Sequence, residues 1–389
     1  MSNAPQFTAV AATQGPKHHF FGYYGIQTFN QAGTHVLALE SGFHDHMPTA
    51  GDAAVIGLAE IATRRFEPLA ETRAWNLQQG SMLYWLPTAP DREIIYNDRE
   101  GDRAVAVVLD IHTGKRRVLP HAIAALSHDG TKAICFNYGR LCAHRPVCSY
   151  AGVRDPFADQ PHPQDDGLFL MDIATGGSKL IISLAEMYAF SGKRRDMRGQ
   201  HLWWNHVVFN TDSTRFAGLI RWYPEGQRRW LTAMISANVD GSDMRCLIDY
   251  GYVSHLDWRD PQTILVWAEI PGQGRHYFYL NDVTGETEVL GGSVLTVDGH
   301  CSFSRDRRWI LTDTYPDEES KRGLKLWDIA NAREVLLGRF HSDPKYSEEI
   351  RCDLHPRWDR EDCRVCFDSI HEGTRQVYVM DVSQVIGGS

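Results

Sequence analysis

The chain has 389 residues, 43% apolar and 23% charged, with a formal net charge of −9. That balance belongs to a folded globular protein, and an acidic chain without a basic run is not read as a nucleic-acid binder. No stretch approaches the roughly 18 consecutive apolar residues of a membrane span, and the first 20 residues lack the charged and apolar segments of a signal peptide, so a cytoplasmic location is expected.

Two short signals alternate along the chain. One is a polar turn running into an apolar strand; the other is a hairpin built on D-x-x-T-G or a decayed relative. In chain order, AGTHVLALE (32–40) is followed by AEIATRRFEPL (59–69), and PDREIIYND (90–98) by LDIHTGKRRVL (109–119). HDGTKAICFN (128–137) precedes MDIATGGSKLI (171–181), and TDSTRFAGLIR (211–221) precedes ISANVDGSDMRCL (235–247). DPQTILVWAE (260–269) leads to NDVTGETEVL (281–290), RDRRWILTD (305–313) to WDIANAREVLL (327–337), and EDCRVCFDS (361–369) to MDVSQVIGG (380–388).

With a short strand ahead of each turn, seven such units predict an all-β, seven-bladed β-propeller of four-stranded antiparallel blades. One domain is expected over 1–389, with an insertion in blade three at about 138–168. The segment VYVMDV (377–382) reads as the third strand of blade seven. The fourth is expected from QFTAV (6–10), which would close the ring and leave no exposed edge. The eight cysteines show no disulfide framework. In CRVC (363–366) the two thiols would alternate faces of a strand, which is unsuited to a redox or metal pair.

The innermost strands carry the chemical signal. Aligned on the aromatic before the turn, NHVVFNTD, SHLDWRD, GHCSFSRD and LHPRWDRED each place a histidine three residues ahead of it. His206, His255, His300 and His355 thus share one register in consecutive blades four to seven, on the opposite strand face from their aromatics Phe209, Trp258, Phe303 and Trp358, so that the aromatic packs between blades while the histidine faces its neighbours, or the reverse. A lone histidine at a strand start is usually a structural hydrogen-bonding group; four in register point to a shared metal or catalytic site. Cys352, three residues before His355, adds a thiol. His255, His300, Cys352 and His355 are therefore the expected metal ligands, for Zn²⁺ first and Mn²⁺ second, leaving His206 for chemistry. Cys352 could equally be a small buried filler.

The loops after the second strands are long and polar, and binding function gathers on such loops. Blade three offers Tyr138, Arg140, His144 and Arg145; blade four offers Arg221, Trp222 and Tyr223, with Trp203 and Trp204 beside His206. Arginines among aromatics fit an acidic carbohydrate, with rings on sugar faces and a guanidinium on a carboxylate. A structural arginine or a core tryptophan is the ordinary alternative at these positions.

HHFFGYYG (18–25), VDGHCSFSRDRRWILTDTYPD (297–317) and DLHPRWDREDCRVCFDSIHEG (353–373) resemble the oligogalacturonate lyases and the related ulvan lyases, seven-bladed propeller polysaccharide lyases. The resemblance implies β-elimination on a uronic-acid-containing glycan. It suggests Arg221 as carboxylate neutraliser, His206 as base and Tyr138 as acid, with Arg140, Trp204, Tyr223 and His144 binding the acidic oligosaccharide. Where oligogalacturonate lyases hold their metal with His and Gln, this chain has Cys352. The alternative is a non-catalytic propeller of the TolB or WD kind, which shares the hairpin repeats but leaves the histidine register unexplained. No G-x-S-x-G elbow supports a serine hydrolase.

Overall fold

A computed structural model describes residues 7–249 and 251–387. Gln6, at the head of QFTAV, and Gly388, at the tail of the last hairpin signal, lie outside the described residues. The described residues form seven four-stranded antiparallel sheets, a seven-bladed β-propeller. Blade one takes His18–Phe20, His35–Ser41, Ala54–Glu60 and Arg65–Thr72 in order, and blades two to six repeat that order. Blade seven draws Arg357–Trp358, Arg364–Ser369 and Gln376–Asp381 from the end of the chain. Its fourth strand is Ala9–Ala11, which pairs with Gln376–Asp381 and sets Ala9 opposite Met380.

By compactness the chain divides into two units. One holds Met1–Ile95, Leu109–Arg116 and Val297–Ser389; the other holds Tyr96–Val108 and Arg117–Thr296.

The hairpin motif has a local cause. Asp110 Oδ1 accepts the backbone N–H groups of His112 and Thr113, both at 3.0 Å, and Gly114 closes the turn at φ 72. Asn281 does the same for Val283 and Thr284, with Gly285 at φ 71. A short acceptor side chain thus replaces a backbone partner, and glycine takes the left-handed position at no steric cost. In blade six, Ala332 occupies that position at φ 47.

The register aromatics hold neighbouring blades together within each unit. Trp258 Nε1 donates to the Val208 carbonyl at 3.2 Å, Trp358 Nε1 to Ser302 at 3.4 Å and Trp85 Nε1 to Thr28 at 3.0 Å. Around them lie apolar faces: Leu219, Val253, Trp258 and Val266 in one cluster, Leu311, Leu326, Trp358 and Phe367 in another. Cys363 is exposed and Cys366 buried, as alternation requires, and all eight cysteines are free.

The blade-three insertion runs between the strands Lys132–Cys135 and Gly167–Asp172, and opens with the helix Tyr138–His144. The Asn137 side chain caps it by accepting from Arg140 N at 3.0 Å. A second helix, Leu184–Phe190, follows blade three; Ser183 and Glu186 form a reciprocal capping box at its start.

Candidate functional site

In the first unit, ligand atoms of His300, Asp353 and His355 lie within 4.8 Å of one another, and all three side chains are buried. Among the described residues this is the group of His, Cys, Asp and Glu that could share a metal ion. His300 and His355 stand just ahead of the two-residue strands Ser302–Phe303 and Arg357–Trp358. Gly299 permits the close approach: a Cβ there would overlap the Asp313 carbonyl oxygen.

Asp313 organises both histidines. Its side chain accepts the backbone N–H of His300 at 2.7 Å and that of His355 at 3.1 Å, and His300 Nδ1 lies 2.9 and 3.0 Å from its two oxygens. An imidazole that donates from Nδ1 to a carboxylate presents its Nε2 lone pair on the other side, the orientation seen in metal-binding histidines. Burial opposes a charge on His300, but the carboxylates of Asp313, Asp353 and Asp298 outweigh it and raise its pKa above the ordinary value. Burial and the adjoining His300 hold His355 well below the ordinary value, so this imidazole stays neutral.

Asp353 is anionic. Burial works against that, but Arg322 and Arg351, each 2.7 Å from a different carboxylate oxygen, keep its pKa below the carboxylate range. A carboxylate oxygen has two lone pairs, so both retain acceptor capacity beside the arginines. Two imidazoles and a carboxylate form a donor set that fits Zn²⁺ or Mn²⁺. The HHFFGYYG segment closes over this trio. Arg357, wholly buried, pairs with Asp368 at 2.8 Å and donates to the carbonyls of Tyr23 and His355. Asp368 Oδ2 in turn accepts from Phe21 N and Gly22 N. The Tyr24 ring then lies 5.2 Å from His300 and 6.5 Å, stacked, from His355.

Two expected ligands fall outside the trio. Cys352 turns its thiol to the Asp353 carbonyl oxygen at 3.9 Å, and burial pushes its pKa up to about 11. Asp353, and not Cys352, stands with His300 and His355 in the trio. His255 lies in the second unit, on the strand Val253–Trp258.

In that unit the registers shift at the histidines: between Asn205 and Val207, with His206 at φ 48, and between Val253 and Leu256. These bulges correct the plain alternation expected between each histidine and its aromatic, because a bulge re-aims the side chain it carries. The His206 and His255 rings meet edge-on at 6.1 Å.

A second cluster of this unit grows across three neighbouring strands. Trp203, Arg221 and Thr232 are register partners in one row, and Arg221 Nε donates to Thr232 Oγ1 at 3.3 Å. Arg221 is only 5% exposed. Burial, and then the charge of Arg145, lower its pKa to about 9. Trp203 stacks on His144 at 4.9 Å and meets Tyr223 at 5.2 Å, and Tyr223 Oη donates to the His144 carbonyl at 3.2 Å. Trp230, which the sequence reading passed over, lies beneath Arg145 and Arg221. Its only sequence signal is its place at the end of the polar loop after Arg221.

Three expected site residues are structural instead. Tyr138 is buried, donates to the Ile123 carbonyl at 3.0 Å and stacks on Tyr150. Arg140 is buried near Asp155 and Asp166 at 3.3 and 3.4 Å and donates to the carbonyls of Phe157, Gln160 and Leu202. Trp204 packs its ring over Gly218 of the next strand, filling the space a side chain would take. In each case the loop or strand folds the group inward, and its polar or ring surface is consumed by neighbours.

No family model matches the chain, and no curated protein matches it. In fold it is similar to an oligogalacturonate lyase from Vibrio parahaemolyticus, with a TM-score of 0.68, 16% identity and 98% of each chain covered. It is also similar to an oligogalacturonate lyase in complex with manganese, with a TM-score of 0.65, 17% identity, and 97% of this chain and 95% of that one covered. A puromycin-hydrolyzing peptidase of Mycobacterium tuberculosis matches with a TM-score of 0.53 and 12% identity, over 94% of this chain but 52% of its own. The expected likeness to the oligogalacturonate lyases is thus met as a likeness of fold along nearly the whole chain.

Proposed function

We propose that the protein is a lyase that cleaves a uronic-acid-containing oligosaccharide by β-elimination. The observation that carries this reading is Arg221, a buried guanidinium set among Trp203, Tyr223 and Trp230 with no carboxylate partner among the described residues. A buried cation without a counter-ion is costly and suits a site that receives an anion. Tyr223 and Trp230, which are only partly buried, offer ring surface that suits the apolar face of a sugar.

Paired with Arg221, the uronate carboxylate loses the negative charge that opposes ionisation at C5. His206 then takes the C5 proton as general base. The electron pair forms the C4–C5 double bond, the C4–O4 bond breaks, and the leaving oxygen takes a proton from water. The bulge at His206 supports this role, because strained and re-aimed residues gather at functional sites. His300, His355 and Asp353 would hold a divalent ion, for which the manganese complex of a similar fold and the imidazole pair suggest Mn²⁺ or Zn²⁺. Such an ion, when bound, supplies Lewis-acid stabilisation of negative charge.

The test is ultraviolet absorbance of the unsaturated product from pectic, ulvan-type and glucuronan-type oligomers. Product should form from at least one class, and Arg221→Met should lower kcat about 10²- to 10³-fold, the cost of one lost electrostatic stabiliser. No product from any class refutes the reading.

A further inference from the structure

In the first unit, four buried polar atoms on neighbouring side chains make no hydrogen bond: Nδ1 of His18, Nδ1 of His44, Nε of Arg375 and Oε1 of Gln78. The His18 and His44 rings lie 3.9 Å apart, and His44 also meets the Tyr346 ring at 4.3 Å. Arg375 flanks the strand His18–Phe20. Its carbonyl accepts from His19 N at 2.8 Å, and its guanidinium lies 5.5 Å from the Phe20 ring, on the strand face that His18 shares. Gln78 stands beside it, because Gln78 Nε2 and Arg375 Nη2 donate to the same Arg351 carbonyl at 2.6 and 2.9 Å. Arg375 is 1% exposed and has no carboxylate at ion-pair distance among the described residues; its outer nitrogens are held by the carbonyls of Leu77, Ile350 and Arg351. A buried cation without a counter-ion is costly until an anion joins it. Burial and then Arg375 lower the pKa of His18; burial, then His18 and Arg375, lower that of His44 to about 3. His19 and Lys345 add to these effects, and Asp45 opposes them. Both imidazoles are thus neutral, and a neutral imidazole still has one N–H to give.

We propose that His18, His44, Gln78 and Arg375 form a closed binding site for a phosphate group, where the first strand of blade one meets blade seven. Arg375 Nε and the two Nδ1 atoms donate to phosphate oxygens, and Gln78 Oε1 accepts from the hydroxyl that hydrogen phosphate carries and sulfate lacks. Bound there, the anion neutralises the guanidinium and ties the two blades together. The inference is independent of the lyase reading.

The test is calorimetric titration of the full chain, freed of phosphate, with inorganic phosphate, sulfate and methyl phosphate, alongside the unfolding temperature. Phosphate should bind wild type and raise its unfolding temperature, and sulfate should bind about 10-fold more weakly, the cost of one hydrogen bond. His44→Phe keeps a ring between His18 and Tyr346 but loses the donor. It and His18→Phe should each bind phosphate about 10- to 100-fold more weakly, the range for a hydrogen bond to a charged group. Affinity for sulfate, whose own charge is fixed, should rise as pH falls from about 8 to about 5, because the bound anion draws protons onto the imidazoles. Methyl phosphate separates the two sources of the group: binding as tight as that of inorganic phosphate assigns an ester, weaker binding the free ion. Absence of phosphate binding to wild type overturns the inference, as does an unchanged phosphate affinity in both histidine variants. Sulfate bound as tightly as phosphate overturns the choice of phosphate.

Discussion

Asp313→Asn probes the metal trio without touching a ligand. The wild-type carboxylate accepts three N–H groups, two from backbone and one from the His300 ring, at 2.7 to 3.1 Å in a site only 1% exposed. The amide keeps one oxygen acceptor and turns an NH₂ group towards groups that are themselves donors. At least one buried donor therefore loses its partner, at about 1–3 kcal/mol. The greater effect is on the metal. The ring loses the charged acceptor that fixes its orientation and strengthens Nε2 as a donor, and mutation of such an orienting carboxylate costs about 10- to 100-fold in affinity. The assay is titration of metal-stripped protein with Mn²⁺ and with Zn²⁺, read by calorimetry and by the unfolding temperature. Wild type should bind and be stabilised; Asp313→Asn should bind 10- to 100-fold more weakly; His300→Ala should bind more weakly still. Unchanged affinity in both variants would refute the trio as a metal site. A loss of stability in Asp313→Asn with full metal affinity would leave Asp313 a purely structural acceptor.

Three further outcomes follow from single residues. Tyr138→Phe removes a buried hydroxyl that donates to a carbonyl, so it should cost about 1 kcal/mol in denaturant unfolding and leave lyase turnover intact. Ala332→Gly relieves a left-handed alanine at φ 47 and should raise stability by about 1 kcal/mol, read as a higher unfolding temperature. Asp362 has its pKa raised from 3.8 to about 6, by burial and then by Asp306 and Asp359 against the Arg305 N–H. Its stabilising contribution is full while the carboxyl is protonated, below its unfolded value, and is lost as pH rises through 6. Asp362→Asn should therefore gain over wild type between pH 4 and pH 7, by about 1 kcal/mol once solvent screening reduces the roughly 3 kcal/mol ceiling of such a shift. A pH-independent difference would refute that linkage.

The sequence by itself determined the propeller, because each blade is specified locally. An acceptor at the turn, a glycine or its substitute at the left-handed position and alternating apolar strands recur along the chain, and hydrogen bonds such as that from Thr113 N to Asp110 reach only a few residues. The same periodicity set His206, His255, His300 and His355 in one register. It also left one signal unread: Ser183 and Glu186, a capping box three residues apart, mark the helix Leu184–Phe190.

Tertiary structure decided which polar groups meet. Tyr138 and Arg140 look like cleft residues in a polar insertion, yet the helix Tyr138–His144 turns both inward, where carbonyls and carboxylates far along the chain take up their donors. Asp353 was legible only as the residue two before His355, a spacing that puts both on one side of an extended chain. What makes it part of the trio is Arg322 and Asp313, brought in from other strands, together with its chain neighbour Arg351. Trp230 joins Arg145 and Arg221 in the same way, across a strand pairing and a loop. Repeats are written in short-range turn chemistry; a site is a set of long-range encounters, and those exist only once the blades have packed.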